Sequence, residues 1–184
     1  MAISTAVKPV RRLITVDDQE GRSRKIADGP SPDVRLDPAR PGYSATRIWV
    51  TDRTPARIGG ITDTLHLPHT LEPPPGGSVC RVVTFPPERG AACVSAGDVQ
   101  AFFAAMGSPA ASTGGAGAPH PYMQRTRTLD FCLVLEGEIT LVLDTAEVQL
   151  KAGDTVVQRG TNHAWSNRSG QPCTIAFSSH DAKA

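Results

Sequence analysis

His163 and Asp130 are two side chains of the last third of the chain that could move a proton. An imidazole titrates near neutrality, so His163 could act as a general base with Asp130 as its acid in a dehydration, isomerisation or decarboxylation. Gln124, Thr126 and Asp130 share even parity, so an extended backbone projects all three to one face. His163, Trp165 and Asn167 share a face for the same reason. If the two faces meet, they enclose a hollow lined by an amide, a hydroxyl, a carboxyl and an imidazole among aliphatic neighbours, the make-up of a small-molecule pocket. Arg159, beside the turn at Gly160, could clamp a substrate carboxylate with paired hydrogen bonds. Each residue also has a plainer reading. Asp130 could pair with Arg125, Arg127 or Arg159, Trp165 could simply pack, Arg159 could be a solvated turn residue, and His163 a hydrogen-bonded core histidine.

The elements that must hold these groups are strands. From Arg125 onward, short runs rich in Val, Leu and Ile (FCLVLE, ITLVLD, EVQL, TVVQ, CTIAF) are separated by Gly137-Glu138, Asp144-Thr145-Ala146, Ala152-Gly153-Asp154 and Ser169-Gly170-Gln171. Regular spacing of this kind indicates an antiparallel sandwich or small barrel. Upstream, Arg11–Val16, Thr46–Val50 and Val79–Phe85 read as further strands, the last ended by Pro86-Pro87. Residues 30–42 and His69–Gly77 are proline-rich and read as irregular connections. The spacing of Val99, Phe102, Phe103 and Met106 predicts a helix near 96–107, capped by Ser95, with Asp98 in its first turn and Gly107 at its stop. That apolar stripe reads as packing on a sheet, with a substrate wall as the alternative. Residues 108–119 (SPAASTGGAGAP) are low in complexity and read as a mobile loop. The expected fold is all-β with one inserted helix. An N-terminal arm occupies residues 1–45 and a barrel 46–184, centred on 120–181.

The 184 residues suit one domain, and 39% hydrophobic residues against 20% charged supply a core. Nine aromatics leave that core to aliphatic side chains, and 17 glycines with 16 prolines favour short strands over a helical bundle. A net charge of +1 is far from a nucleic-acid-binding balance. No apolar run approaches the roughly 20 residues that cross a bilayer, and the start MAISTAVKPVRR lacks the apolar stretch of a secretory signal. Cys80, Cys93, Cys132 and Cys173 form no CxxC pair, so reduced thiols in a cytoplasmic protein are expected.

Two segments resemble the cupins, of the small single-domain type. Gly153-Asp154-TVVQR-Gly160-TN-His163-AWS-Asn167 matches the second cupin motif, with Gln158 where proline is usual. Counting back from Gly137 puts Asp130 at the glutamate of the first motif and Gln124 and Thr126 where its two histidines belong. The stretch 124–144 with 156–169 looks like a subgroup tied to secondary metabolism and aromatic degradation. The resemblance implies a double-stranded β-helix, or jelly roll, whose interior pocket often holds a divalent transition metal (Fe, Mn, Ni or Zn), and often a homodimer. Family metals sit on three histidines and a carboxylate, whereas here His163, Asp130 and the Gln124 amide offer donors, with His120, His66 or His69 as possible recruits. The activity implied is that of an oxidoreductase or dioxygenase if metal is bound, and of a dehydratase or isomerase on an oxygenated or aromatic acid if not. A non-catalytic barrel that binds a small ligand is the alternative.

Overall fold

The computed structural model describes residues 7–59, 62–88 and 94–183. Cys93 lies outside them; Cys80, Cys132 and Cys173 are free thiols. The strands are β1 (Arg11–Asp17), β2 (Ser23–Pro30), β3 (Val34–Leu36), β4 (Ser44–Thr51), β5 (Ser78–Phe85), β6 (Thr128–Glu136), β7 (Glu138–Leu143), β8 (Glu147–Lys151), β9 (Thr155–Arg159), β10 (His163–Ser166) and β11 (Cys173–Asp181). Helix α1 spans Ala96–Ala105 and a short 3-10 turn spans Pro109–Ala111.

Two antiparallel sheets make the barrel: a six-stranded one in the order β3-β4-β5-β11-β6-β9 and a three-stranded one in the order β10-β7-β8. Non-sequential neighbours such as β5-β11-β6 mark the jelly-roll path, in which strands distant in sequence pair. Inward positions follow the two-residue period of an extended chain. Val79, Arg81, Val83 and Phe85 face the core from β5, as do Thr128, Asp130, Cys132 and Val134 from β6. β10 is buried along its whole length between the sheets.

The hairpin β1-β2 stands as a separate two-stranded sheet. Its Arg12 reaches across to the Asp63 carboxylate at 2.7 and 3.0 Å and to the Ile48 carbonyl at 2.7 Å. β3, drawn from the proline-rich stretch assigned to that arm, pairs with β4 and forms an edge of the six-stranded sheet. Helix α1 begins with a reciprocal capping box between Ser95 and Asp98, and buries Val99, Phe102 and Phe103 in the main core. The 108–119 segment is irregular, yet it is pinned. Thr113 N–H donates to the Met123 carbonyl at 2.9 Å, Arg125 N–H to Ala111 at 2.9 Å, and Ser112 bridges to Gln124.

Candidate active site

Between the two sheets lies a cavity of about 70 Å³. At roughly 10–15 Å³ per water-sized group, that admits a molecule of about five to seven such groups. It is lined by residues of β5, β6, β10 and β11, by Phe102 of α1, and by Arg40, Tyr43 and Tyr122. Gln124, Thr126, Asp130, His163 and Trp165 all line it. The parity argument therefore brings these five to one hollow, while Asn167 is buried and bonds instead to the Phe85 and Gln171 carbonyls. Among the other expected site residues, one does not reach the hollow. Arg159 is the exception: it is exposed and borders a separate depression together with Arg125, Arg127 and Lys183.

His163 is fixed from both sides. Its backbone exchanges two hydrogen bonds with Gln124, at 2.8 and 3.0 Å. Its ring Nδ1 meets the Thr161 carbonyl at 2.9 Å, which can only accept, so the proton belongs on Nδ1 and Nε2 carries the lone pair. The Gln124 amide nitrogen approaches Nε2 at 3.4 Å, a long contact that a ligand could displace. Burial pushes the imidazole below its usual 6.5, against the hydrogen bond to Thr161 and the charge of Asp130. A neutral imidazole whose basic nitrogen opens on a cavity is a competent proton acceptor.

Asp130 ends a relay of hydroxyls. Thr128 Oγ1 donates to Asp130 Oδ2 at 3.0 Å, which leaves Thr126 to donate to Thr128 at 2.7 Å. The other carboxyl oxygen, Oδ1, is buried and unpartnered among the described residues. The expected pairings of Asp130 with Arg125, Arg127 or Arg159 are not among the ion pairs of the described residues; those arginines gather at the other depression. Trp165 both packs and lines the pocket, edge-on to Phe177 at 5.5 Å and to His163 at 6.0 Å.

Thr128, Arg81 and Arg40 also line the cavity and are not singled out by the sequence. Thr128 has the parity of 126 and 130, and the same rule finds it. Arg81 interrupts the apolar inward face of β5, where a charged residue between Val79 and Val83 was the available signal. Its Nη2 donates to the Leu71 carbonyl, while Nε is buried without a partner. Burial acts to lower its pKa, and the Asp130 carboxyl opposes that. Arg40 comes from an irregular connection and carried no periodic signal. Its guanidinium stacks over Tyr43 and Phe102 at 4.4 Å each and over Tyr122 at 3.7 Å, and it pairs with Asp37 at 2.6 Å.

The donors that could hold a metal here are one imidazole nitrogen, one carboxyl and one amide. The candidate recruits are occupied elsewhere. His120 Nε2 meets Glu88 at 3.1 Å, His69 pairs with Asp33 at 2.9 Å, and His66 is exposed with its Nδ1 at 2.7 Å from the Asp63 carbonyl. Among the described residues no group of three His, Cys, Asp or Glu stands close enough to share an ion. A buried guanidinium in the same hollow adds positive charge beside the one carboxyl. The residues present therefore do not fit the three-histidine, one-carboxylate set, and the chemistry below rests on the chain's own side chains.

Fold and site together define a jelly-roll barrel with a lined internal cavity that is polar at both ends. Residues 113–178 match the Cupin_2 family model, described as a cupin domain, so the chain carries a cupin domain over that span. It is 60% identical over 48 residues to the phomopsin biosynthesis cluster protein C' of Diaporthe leptostromiformis, covering 26% of this chain and 25% of that one. It is 32% identical over 130 residues to the cupin-domain-containing oxidoreductase virC of Hypocrea virens, covering 68% and 51%. The chain thus spans about a quarter and about half of these two relatives. Among solved structures it resembles the cupin domain of Schizosaccharomyces pombe Cnp3, with 10% identity, a TM-score of 0.45, and coverage of 93% of this chain and 87% of that one.

Proposed function

We propose that this cupin is an enzyme of small-molecule metabolism that moves a proton on a small oxygenated acid bound inside the barrel. The observation that carries the reading is that one cavity is lined both by His163, whose Nδ1 meets the Thr161 carbonyl so that Nε2 is the basic nitrogen, and by Asp130, whose Oδ1 has no partner among the described residues. His163 takes the proton from carbon or oxygen of the substrate. Asp130, tied to Thr126 and Thr128, holds or returns a proton at the oxygen where charge develops. Enolisation, double-bond migration and loss of water all share this first step.

Solvent deuterium exchange into small enolisable oxo acids such as 2-oxobutyrate, followed by NMR, tests the reading. Exchange above the buffer rate is expected. Positioned acid–base groups contribute about 10²- to 10⁴-fold, so His163→Gln is expected to lose at least about a hundredfold and Asp130→Asn to lose activity far more than stability. Exchange unchanged in both variants overturns the assignment. Chelation is expected to leave exchange intact.

A second reading is favoured by one finding, the similarity to virC, a cupin-domain-containing oxidoreductase. On that reading the proton taken by His163 is the first half of a substrate oxidation. Reduction of an added electron acceptor, dependent on substrate and on His163, separates it from simple isomerisation. We propose further that the barrel works in the cytoplasm as a homodimer.

A further inference from the structure

We propose that Arg81, with Arg40 beside it, is the receptor for a carboxylate, so that the cavity takes a small carboxylic acid in one orientation. The inference rests on the cavity being the ligand site, and it adds the class and the direction of that ligand. Arg81 is nine-tenths buried and lines the hollow, yet of its five N–H donors Nε has no partner among the described residues. Arg40 lines the same hollow, and its Nη2 is likewise buried and unpartnered. A buried donor left unmet costs about 1–3 kcal/mol, and native folds seldom keep two in one place without use. Both guanidiniums are rigid. Arg40 is stacked among three rings and held by Asp37, and Arg81 is tied by Nη2 to the Leu71 carbonyl. Two held guanidiniums on one cavity, each with a buried unpartnered donor among the described residues, suit a planar anion.

Arg81 on β5 and Asp130 on β6 flank β11, which sets their backbones roughly 10 Å apart. A carboxylate is drawn to the two arginines. The remainder of the ligand then lies along Phe85, Phe177 and Trp165, with its far carbons toward His163. The carboxylate clamp, one of two readings of Arg159 in the sequence, is thereby moved to an arginine inside the barrel.

The test compares two probes of one shape, crotonate and its neutral amide, by titration calorimetry and NMR shift mapping. Crotonate is expected to bind the wild-type protein at millimolar concentration or tighter, and at least tenfold tighter than the amide. Arg81→Gln is expected to erase the preference, Arg40→Gln to reduce it, and Arg81→Lys to restore part of it. The double change Arg125→Gln with Arg159→Gln, on the outer depression, is expected to leave it intact. Circular dichroism checks folding. If Arg81→Gln does not fold, the wild-type probe pair and Arg40→Gln decide. Equal binding of acid and amide, no crotonate binding, or a preference that follows Arg125 and Arg159 overturns the proposal. Deuterium exchange that depends on His163 but ignores ligand charge would sink this inference alone, whereas charge-selective binding without exchange would sink only the catalytic reading.

Discussion

At the scale of single residues, the environment of His163 sets a pH signature. Burial pushes its imidazole below 6.5, and His69 is lowered for the same first reason, against its contact with Asp33. The unfolded chain keeps both near the ordinary value, so below pH 6.5 it binds more protons than the folded one, and stability falls as pH drops. The contribution is fully present above that point. Glu88 acts lower. Burial pushes its carboxyl up, but His120 and Ser166 hold it below its usual 4.5, so its contribution is lost only as pH falls beneath that value. Thermal denaturation across pH is therefore expected to show a plateau above neutrality and a first decline beginning near 6.5. His163→Gln should shallow that decline without touching the later one; an unchanged slope would mean that His163 is charged in the folded protein. Deuterium exchange should fall on the same acid side, because the base is lost on protonation. The parity rule found Gln124, Thr126, Asp130 and His163 because extended strands alternate strictly. Arg159 was misdirected by sequence proximity, since its position on β9 has the opposite parity to the buried Gln158.

At the scale of elements, α1 supplies Phe102 to the lining of the cavity, and its two ends fix it. The Ser95–Asp98 box satisfies donors at the start, with Asp98 N–H donating to Ser95 Oγ at 3.1 Å and Ser95 N–H to Asp98 Oδ2 at 3.0 Å. At the other end Gly107 has φ +70°, and a Cβ there would come within 2.1 Å of the His69 carbonyl oxygen. Ser95→Ala is expected to cost about 1 kcal/mol. Gly107→Ala is expected to cost more, on the order of 2 kcal/mol or above, because strain and a backbone clash add. Chemical denaturation measures both; a larger effect at Ser95 than at Gly107 would contradict this account of the helix end. The helix was legible because its cap, apolar spacing and stop agreed with one another. The strands from β6 onward were legible because turn residues punctuate alternating runs. β3 was not, since three exposed residues among prolines carry no period, and only their pairing with β4 defines them. Arg40 escaped for the same reason: its place is set by three rings from separate parts of the chain, a relation no local pattern encodes.

At the scale of the whole molecule, the face of the six-stranded sheet turned away from the cavity is the unfinished surface. The positions of β6 that alternate with Asp130, namely Phe131, Leu133 and Leu135, are 40–49% exposed, and Val157 on the neighbouring β9 is 58% exposed. β9 also ends its sheet, so one side of its backbone lacks a strand partner. An apolar row beside an open strand edge is costly in water and prone to pairing. A second copy of the barrel, applied to this face, would cover both features at once, and that is the form the homodimer proposal takes. Sedimentation or light scattering of the wild-type protein is expected to report a dimer at micromolar concentration. Leu133→Glu combined with Val157→Lys should give a monomer. The cavity lies on the opposite face of the same strands, so the monomeric variant should still bind crotonate and exchange deuterium. Dimers that survive both substitutions would place the interface elsewhere, with the β1-β2 hairpin and the β3 edge the next surfaces to test. Loss of binding together with loss of the dimer would show instead that the outer face braces the Asp130 strand, and that assembly and chemistry are coupled through β6.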